Sequence, residues 1–312
     1  MMLGKPFKPM DPVLVDEIFD NPRWAYQVKW DGVRILAHVQ RQGIELFNKR
    51  LNRRTDQYPE MQEIIQSAVG KREALLDGEM IALRNGKPNF YDLIRRDWST
   101  SPGVIKALVS SIPVCYMLFD ILYLDGKELR SKSWEERQSL LQNNIKISSQ
   151  LVITDVVYEH GETLFEAVKT QGLEGVVAKE RHSKYLIGGK NKLWQKIKVM
   201  QQLNCLVGGY TVNSGLAALL LGVFSERGLI YIGRVNAALK STEKGELLNF
   251  LKNNVQKDSP FINKTSGKGI YWVKPYLPIL VEFLEWTDDL KLRHPKIIGF
   301  SGVKPNKCTL QK

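Results

Sequence analysis

The chain has 312 residues, 43% hydrophobic and 25% charged, which is enough for one large domain or two ordinary ones and is the composition of a soluble globular protein. Its 45 Lys+Arg against 33 Asp+Glu leave a net charge of +12, which favours a polyanionic partner such as nucleic acid. No long apolar run or isolated basic amphipathic helix points to a membrane, and the first residues, MMLGKPFKPMDP, lack the apolar core of a signal peptide. The odd, widely spaced cysteines Cys115, Cys205 and Cys308 exclude a disulfide framework and a paired-cysteine zinc site, so a reducing cytosol is expected.

Along the chain, alternation first marks a strand at Tyr26–Val28. Trp24, Tyr26 and Val28 share one face, while Ala25, Gln27 and Lys29 share the other, so Gln27 and Lys29 point the same way. Asp31-Gly32 suits a tight turn with glycine at positive φ, and Val33–Val39 resumes the alternation. The plain expectation is a β-hairpin with a solvated lysine before its turn. Further strands are expected at Ile44–Phe47, Cys115–Tyr123, Val152–Val157, Val176–Lys179 and Trp194–Val199. Asp77-Gly78 reads equally as a hairpin turn, with Glu79 an exposed strand residue. Helices are expected at Tyr58–Ala68, at Trp134–Asn144 behind a capping box of Ser133 and Glu136, and at Glu162–Thr170, ending at Gly172. In the last of the strands, Trp194, Lys196 and Lys198 fall on one face, with Leu193, Ile197 and Val199 on the other.

After Val199 the texture changes. VMQQLNC suits a hinge, and β-like segments follow at Leu203–Val212, Leu219–Phe224, Ile230–Val235 and Leu280–Trp286, with one helix near Thr242–Lys252. Short strands with a single helix suit a small barrel of the OB type. An α+β chain of two domains, 1–199 and 200–312, is therefore expected. The first carries 30 basic and 25 acidic residues (+5) and the second 15 and 8 (+7), so both are suited to touching nucleic acid.

One pattern stands out of this background. Lys29-x-Asp31-Gly32-x-Arg34 should occur by chance in on the order of a few chains per thousand of this length. It is followed by Arg50 in FNKR, Asp77-Gly78-Glu79 in LLDGEMIAL and Phe119-Asp120 in YMLFDILYLDG. Glu174-Gly175 in LEGVVAK and Lys196 and Lys198 in LWQKIKV complete the set. In this order and at these intervals, it resembles the nucleotidyltransferase motifs of ATP-dependent DNA ligases. ERHSKYLIGGKNKLWQKIK and LEWTDDLKLRHP resemble the bacterial ligase-D type associated with end joining, and the resemblance covers nearly the whole chain.

The resemblance implies a nucleotidyltransferase (adenylation) domain followed by an OB-fold domain. It also implies a reaction in which lysine takes AMP from ATP, passes it to a 5′-phosphate, and a 3′-hydroxyl then displaces it. Lys29 would be the nucleophile. A lysine nucleophile must be neutral, and an unperturbed one is so in about one molecule in a thousand near pH 7.4. Lys196 and Lys198 would favour the neutral amine and hold the α-phosphate as charge builds. Glu79 would hold the ribose hydroxyls and, with Glu174, help place Mg²⁺ or Mn²⁺. Phe119 would be the platform for adenine. Arg34 and Arg50 would contact the nucleotide or the phosphate of the nick. Asp31 would orient its neighbours, while Arg95, Arg96 and Lys190 would meet the DNA backbone.

The sequence departs from the family pattern twice. Gln27 stands where a glutamate usually accepts a hydrogen bond from the adenine amino group, and an amide can either accept from adenine or donate to guanine. The last motif, typically Arg-x-Asp-Lys, reads Ser301-Gly302-Val303-Lys304. Only Lys304 matches, Arg293 or Lys296 is left to substitute, and slower self-adenylylation is expected. Arg293 and Lys304 are also candidate DNA contacts. Nicked or broken duplex DNA is the expected partner, with the Ku end-binding protein as a candidate second one, and a monomer on nucleoid DNA is expected. The alternatives are an RNA ligase, a guanylyltransferase, or a non-catalytic DNA-binding protein that retains the fold.

Overall fold

In a computed structural model, which describes residues 3–263, 265, 269–287 and 289–310, strands β1 (Asp11–Leu14), β2 (Asn21–Lys29), β3 (Val33–Gln40) and β4 (Gly43–Asn48) open the chain. Helix α1 (Pro59–Val69) and strands β5 (Ala74–Arg84) and β6 (Lys87–Pro88) follow, then helices α2 (Phe90–Asp97) and α3 (Pro102–Ser111). Next come β7 (Val114–Leu124), β8 (Lys127–Glu128) and helix α4 (Trp134–Asn144). Then β9 (Leu151–Ile153), β10 (Val157–Glu159), α5 (Gly161–Gln171), β11 (Gly175–Glu180) and β12 (Lys190–Lys198) complete the first of two compact units, Met1–Val199 and Met200–Lys312.

The first unit holds two sheets. One runs β1-β12-β11-β2-β10, and the other runs β4-β3-β5-β7-β8 with β6 on β5 and β9 on β7. Ala25 and Trp194 of the first sheet pack with Leu36 and Leu75 of the second, so the facing sides share one core. The outer side of the second sheet, through Ile35, Leu76 and Leu118, receives Met61 and Ile65 of α1 and Leu141 of α4. The outer side of the first, through Tyr26, Val176 and Ile197, receives Val168 of α5. Each such large apolar side chain contributes about 1.5–3 kcal/mol by leaving water. The Ser133–Glu136 capping box of α4 forms as expected, and Gly172 ends α5 at φ 67°.

The expected hairpin at Asp31-Gly32 does not form. β2 pairs with β10 and β11, whereas β3 pairs with β4 and β5, so the chain crosses between sheets here. Gly32 has no positive φ. A Cβ on it would lie 2.1 Å from the Met80 carbonyl oxygen, so glycine is required by close approach of the crossing chain to β5. The single strand expected at Val152–Val157 likewise divides: β9 lies parallel to β7, and β10 joins β2 in the other sheet. The two crossings touch, since Trp30 Nε1 donates to Thr154 Oγ1 at 3.1 Å. Asp77-Gly78 is also no turn, being the middle of the eleven-residue β5.

The second unit contains β13 (Gln201–Val212), β14 (Leu216–Ser225), β15 (Gly228–Asn236), helix α6 (Ser241–Lys252), β16 (Ile270–Trp272), β17 (Pro278–Phe283) and β18 (Lys296–Phe300). Its sheet runs β15-β14-β13-β17-β18, with β16 on β13. The sheet curls until Leu292 N, just before β18, donates to Ile232 O of β15 at 2.8 Å. Leu203, Leu219, Ile232 and Phe283 line the interior, and α6 adds Leu247 and Leu251. The chain is thus mixed α and β with a curled, sheet-rich second part, where an α+β chain ending in a small barrel of the OB type was expected.

Candidate active site

β11 lies between β2 and β12. In that register Gly175 stands opposite Lys29 on one side and Lys198 on the other, and Val177 stands opposite Gln27 and Lys196. One sheet face therefore presents Gln27, Lys29, Lys196 and Lys198 together. Glu174, immediately before β11, reaches both flanking strands: its carboxylate accepts from Lys29 Nζ at 2.5 Å and from Lys198 Nζ at 3.0 Å. Gly175 makes this closure possible. It sits at φ +155°, and a Cβ there would lie 2.1 Å from the Ile197 carbonyl oxygen.

The electrostatics of the two carboxylates diverge. Burial would raise Glu174, but Lys29 and Lys198 outweigh it and hold the carboxyl below its usual range. Glu79, across from them on β5, is pushed up to about 8, chiefly by burial, with Glu174 and Asp31 adding to the shift and Lys29 and Arg34 opposing it. Lys196 is lowered, first by burial and then by Lys29, with Lys198 adding further down the same face. The Glu174 side chain is only 6% exposed, whereas those of Lys29 and Lys198 are 21% and 26% exposed, so the lysines keep partial access to solvent.

Beneath this mouth the charges are closed off. Arg34 lies beside Glu79 in the β3–β5 register, and Asp77 is two residues earlier on the same strand face. Arg34 Nε and Nη2 donate to Asp77 Oδ1 and Oδ2 at 2.9 and 2.7 Å, its Nη1 donates to the Met10 carbonyl at 2.6 Å, and Tyr185 Oη donates to Asp77 at 2.7 Å. Burial works against the Arg34 charge, but Asp77 more than offsets it. A second pair, Arg137 and Asp120, is fully buried, with Arg137 Nε and Nη2 donating to the two carboxylate oxygens at 2.7 and 3.0 Å. Phe119 is half-buried between them, with the Arg34 guanidinium 5.2 Å from its ring centre.

The expected site residues thus fall into three groups. Lys29, Lys196, Lys198, Glu174, Glu79, Asp31, Gln27 and Phe119 converge on the mouth or its walls. Arg50, Arg95 and Lys190 are exposed elsewhere on the first unit, and Lys304 is exposed on the second. Two expectations are corrected. Arg96 is fully buried, donating to the carbonyls of Leu108, Ile112 and Gln57 and pairing with Glu60, so it braces the α2–α3 region and cannot meet DNA. Arg34 is 9% exposed and spends its donors on Asp77 and Met10, which makes it a buried brace for Asp77 and Phe119, not a phosphate contact. On the second unit, Arg293 forms an ion pair with Glu285. Glu79, finally, is a wall of the mouth and not a simple exposed strand residue. Sequence reading missed Thr154, Tyr185 and Asp77 as partners. Asp77 was within reach, because a carboxylate two residues from Glu79 on one strand must share its face.

The chain is similar to known proteins over nearly its whole length. The family model for the ATP dependent DNA ligase domain matches residues 1–198, and that for the ATP dependent DNA ligase C terminal region matches residues 213–304. The multifunctional non-homologous end joining DNA repair protein LigD of Mycobacterium tuberculosis is 29% identical over 294 residues, 91% of this chain and 36% of that protein. A DNA ligase of Thermococcus fumicolans is 27% identical over 330 residues, covering 97% of this chain and 57% of the relative. The chain therefore spans between about a third and three-fifths of these curated relatives. The crystal structure of the ligase domain from M. tuberculosis LigD superposes with a TM-score of 0.55 at 27% identity, covering 98% of both chains. Because one family model spans well over half of the sequence and a second spans most of what is left, the chain belongs to the ATP-dependent DNA ligases.

Proposed function

We propose that the chain seals nicks or breaks in duplex DNA with ATP, through a covalent lysyl-AMP at Lys29 and then a DNA-adenylate. One observation carries this: Lys29 ends a strand at the open mouth, hydrogen-bonded to Glu174 and sharing its sheet face with Lys196 and Lys198. Nζ of Lys29, once deprotonated, attacks the α-phosphorus and forms a P–N bond as pyrophosphate leaves. A 5′-phosphate oxygen of DNA then displaces the lysine, and a 3′-hydroxyl oxygen displaces AMP as the strand is joined. Lys196 and Lys198 hold the α-phosphate oxygens as charge builds. Lys198 also keeps Glu174 partnered when Lys29 leaves it, so the carboxylate is not stranded in its pocket.

The base is read by Gln27. Its Nε2 donates to the Thr154 carbonyl at 3.1 Å, which turns Oε1 inward, buried and without a partner among the described residues. A buried acceptor calls for a donor. The adenine amino group supplies one, whereas guanine would bring a carbonyl against it, so the orientation supports ATP over GTP. Phe119 offers its ring to the base and Glu79 its carboxyl to the ribose.

A divalent cation, Mg²⁺ or Mn²⁺, fits the donor set. Glu79 is held near-neutral by burial beside Glu174 and Asp31, a crowding of carboxyl groups that a cation would relieve. Mg²⁺ commonly rests on one or two carboxylates and substrate phosphates. Such an ion would be held by Glu79 and Glu174 and would supply charge neutralisation at the phosphates. Duplex DNA would be gripped by exposed cations, among them Arg50, Arg95, Lys190 and Lys304, with Ku as a partner and a monomer as the working form. Among the described residues no helix is long and apolar enough to cross a membrane.

The test is transfer of label from α-labelled nucleotide to the protein, with ATP and GTP in parallel. Label from ATP on Lys29, far above that from GTP, is the expected result. Stable label on another residue would sink the nucleophile assignment, and equal labelling by GTP would sink the role of Gln27.

A further inference from the structure

Lys179 has no part in the chemistry above, yet it is among the most enclosed charges in the molecule. It is 2% exposed on β11, between Ala25 and Trp194 of the neighbouring strands. Its Nζ lies 4.6 Å from the ring centre of Phe119, 4.3 Å from that of Trp194 and 5.7 Å from that of Trp134. The adjacent carboxylates are already taken, Asp120 by Arg137 and Asp77 by Arg34. Burial pulls the Lys179 pKa down to about 7, with Asp120 pulling the other way. An ammonium in such a place is costly unless its donors and its charge are used.

They are used at Phe119. In the β5–β7 ladder Asp77 stands opposite Asp120 and Gly78 opposite Leu118, so Phe119 is an extra residue with no partner on β5. Such a bulge re-aims a side chain and removes backbone groups from the ladder. The Phe119 carbonyl is instead met by side chains: Gln138 Nε2 donates at 2.6 Å and Lys179 Nζ at 3.4 Å. Lys179 thus holds the bulge twice, by its carbonyl and by the face or edge of its ring.

We propose that Lys179 is a positioning residue for the nucleotide base, clamping the β7 bulge so that Phe119 is held ready to stack. This rests on the assignment of Phe119 as the base platform. It makes a buried lysine on the first sheet a determinant of ATP affinity through a residue on the second.

The test uses the full chain and single-turnover self-adenylylation across ATP concentrations, with Lys179→Met, Lys179→Arg, Phe119→Leu and the Lys179→Met/Phe119→Leu double variant. Gln138→Leu, which removes the other donor to the same carbonyl, serves as a second probe should Lys179→Met fold poorly. Lys179→Met is expected to raise the half-saturating ATP concentration by about tenfold while leaving the maximal rate within about twofold, with Lys179→Arg recovering most of the loss. In the Phe119→Leu background the same substitution should add little. If Phe119→Leu weakens ATP but Lys179→Met does not, or if the two losses simply multiply, the clamp is refuted while the platform stands. If Phe119→Leu leaves ATP affinity unchanged, the platform assignment falls and the clamp falls with it.

Discussion

The mouth and the floor of the candidate site are built from the same residue types and behave oppositely. At the mouth, Glu174 is shared between Lys29 and Lys198, whose side chains are 21% and 26% exposed and so keep partial access to water. At the floor, Asp120 and Arg137 are 0% exposed and matched two bonds to two, and Asp77 is fixed from two sides by Arg34 and Tyr185. Exchange there would strand a charge in a low-dielectric interior. The lesson is that charge number does not mark a reactive site. What marks it is whether the partners can reach water and change places.

The most severe way to break the comparison is at the mouth. Lys29→Ala should abolish the covalent AMP adduct altogether, with Glu174 still paired to Lys198 and the unfolding midpoint little changed. Intact-mass measurement after incubation with ATP, beside a denaturant melt, gives both numbers. A surviving adduct would show that the exchangeable lysine is not the nucleophile.

At the floor the damage should instead be to stability. Asp120→Ala leaves the fully buried Arg137 without its carboxylate and should cost about 3–5 kcal/mol, seen as a large drop in denaturant midpoint. Glu174→Gln should cost much less stability, because both of its lysines can be hydrated, while suppressing adenylylation. Equal destabilisation by the two would erase the distinction between mouth and floor.

pH sharpens the contrast further. His38 lies on the Arg34 face of β3, fully buried, with Nδ1 accepting from Gly4 N at 3.0 Å, and burial lowers its pKa to about 4. The folded state therefore binds a proton less readily than the unfolded state, whose histidine titrates near 6.5. This contribution is complete above about pH 6.5 and is lost as pH falls toward 4, amounting to roughly 3 kcal/mol at most. Unfolding free energies of the native protein and His38→Gln, measured at intervals from pH 7 to 4, should converge as the pH drops. Parallel curves would mean that His38 is not held neutral.

The mouth was legible in the sequence and the floor was not, for a physical reason. Lys29, Lys196 and Lys198 alternate along strands, and strand period alone places Gln27 beside Lys29 and Lys196 beside Lys198 on their faces. The two sheet crossings were hidden, because Asp31-Gly32 carries the chemistry of a turn while the constraint that requires glycine comes from Met80, far along the chain. The Arg34–Asp77–Tyr185 group joins residues separated by as many as 151 positions, and no local signal chooses among so many possible partners. Phe119 was named from its motif, but its bulge depends on register against β5, which a single strand cannot reveal.

Arg95-Arg96 gives the smallest effect and the finest test, since two neighbours on α2 looked alike in sequence and fall on opposite sides of the comparison. The Arg95 side chain is 65% exposed, near Asp92 at 3.7 Å, while that of Arg96 is 0% exposed, with both Nη groups donating to carbonyls or Glu60. An exposed cation on a phosphate adds about 0.9 to the slope of log K against log salt, and a buried one adds nothing. Arg95→Ala should therefore lower the salt slope for nicked-duplex binding by about one unit, with stability within about 0.5 kcal/mol of the native protein. Arg96→Ala should do the reverse, lowering the melting temperature while leaving the slope of the folded fraction unchanged. Fluorescence anisotropy over a salt series, paired with thermal melts, separates the two. An unchanged slope for Arg95→Ala would remove α2 from the DNA-binding surface and leave the grip to Arg50, Lys190 and the cations of the second unit.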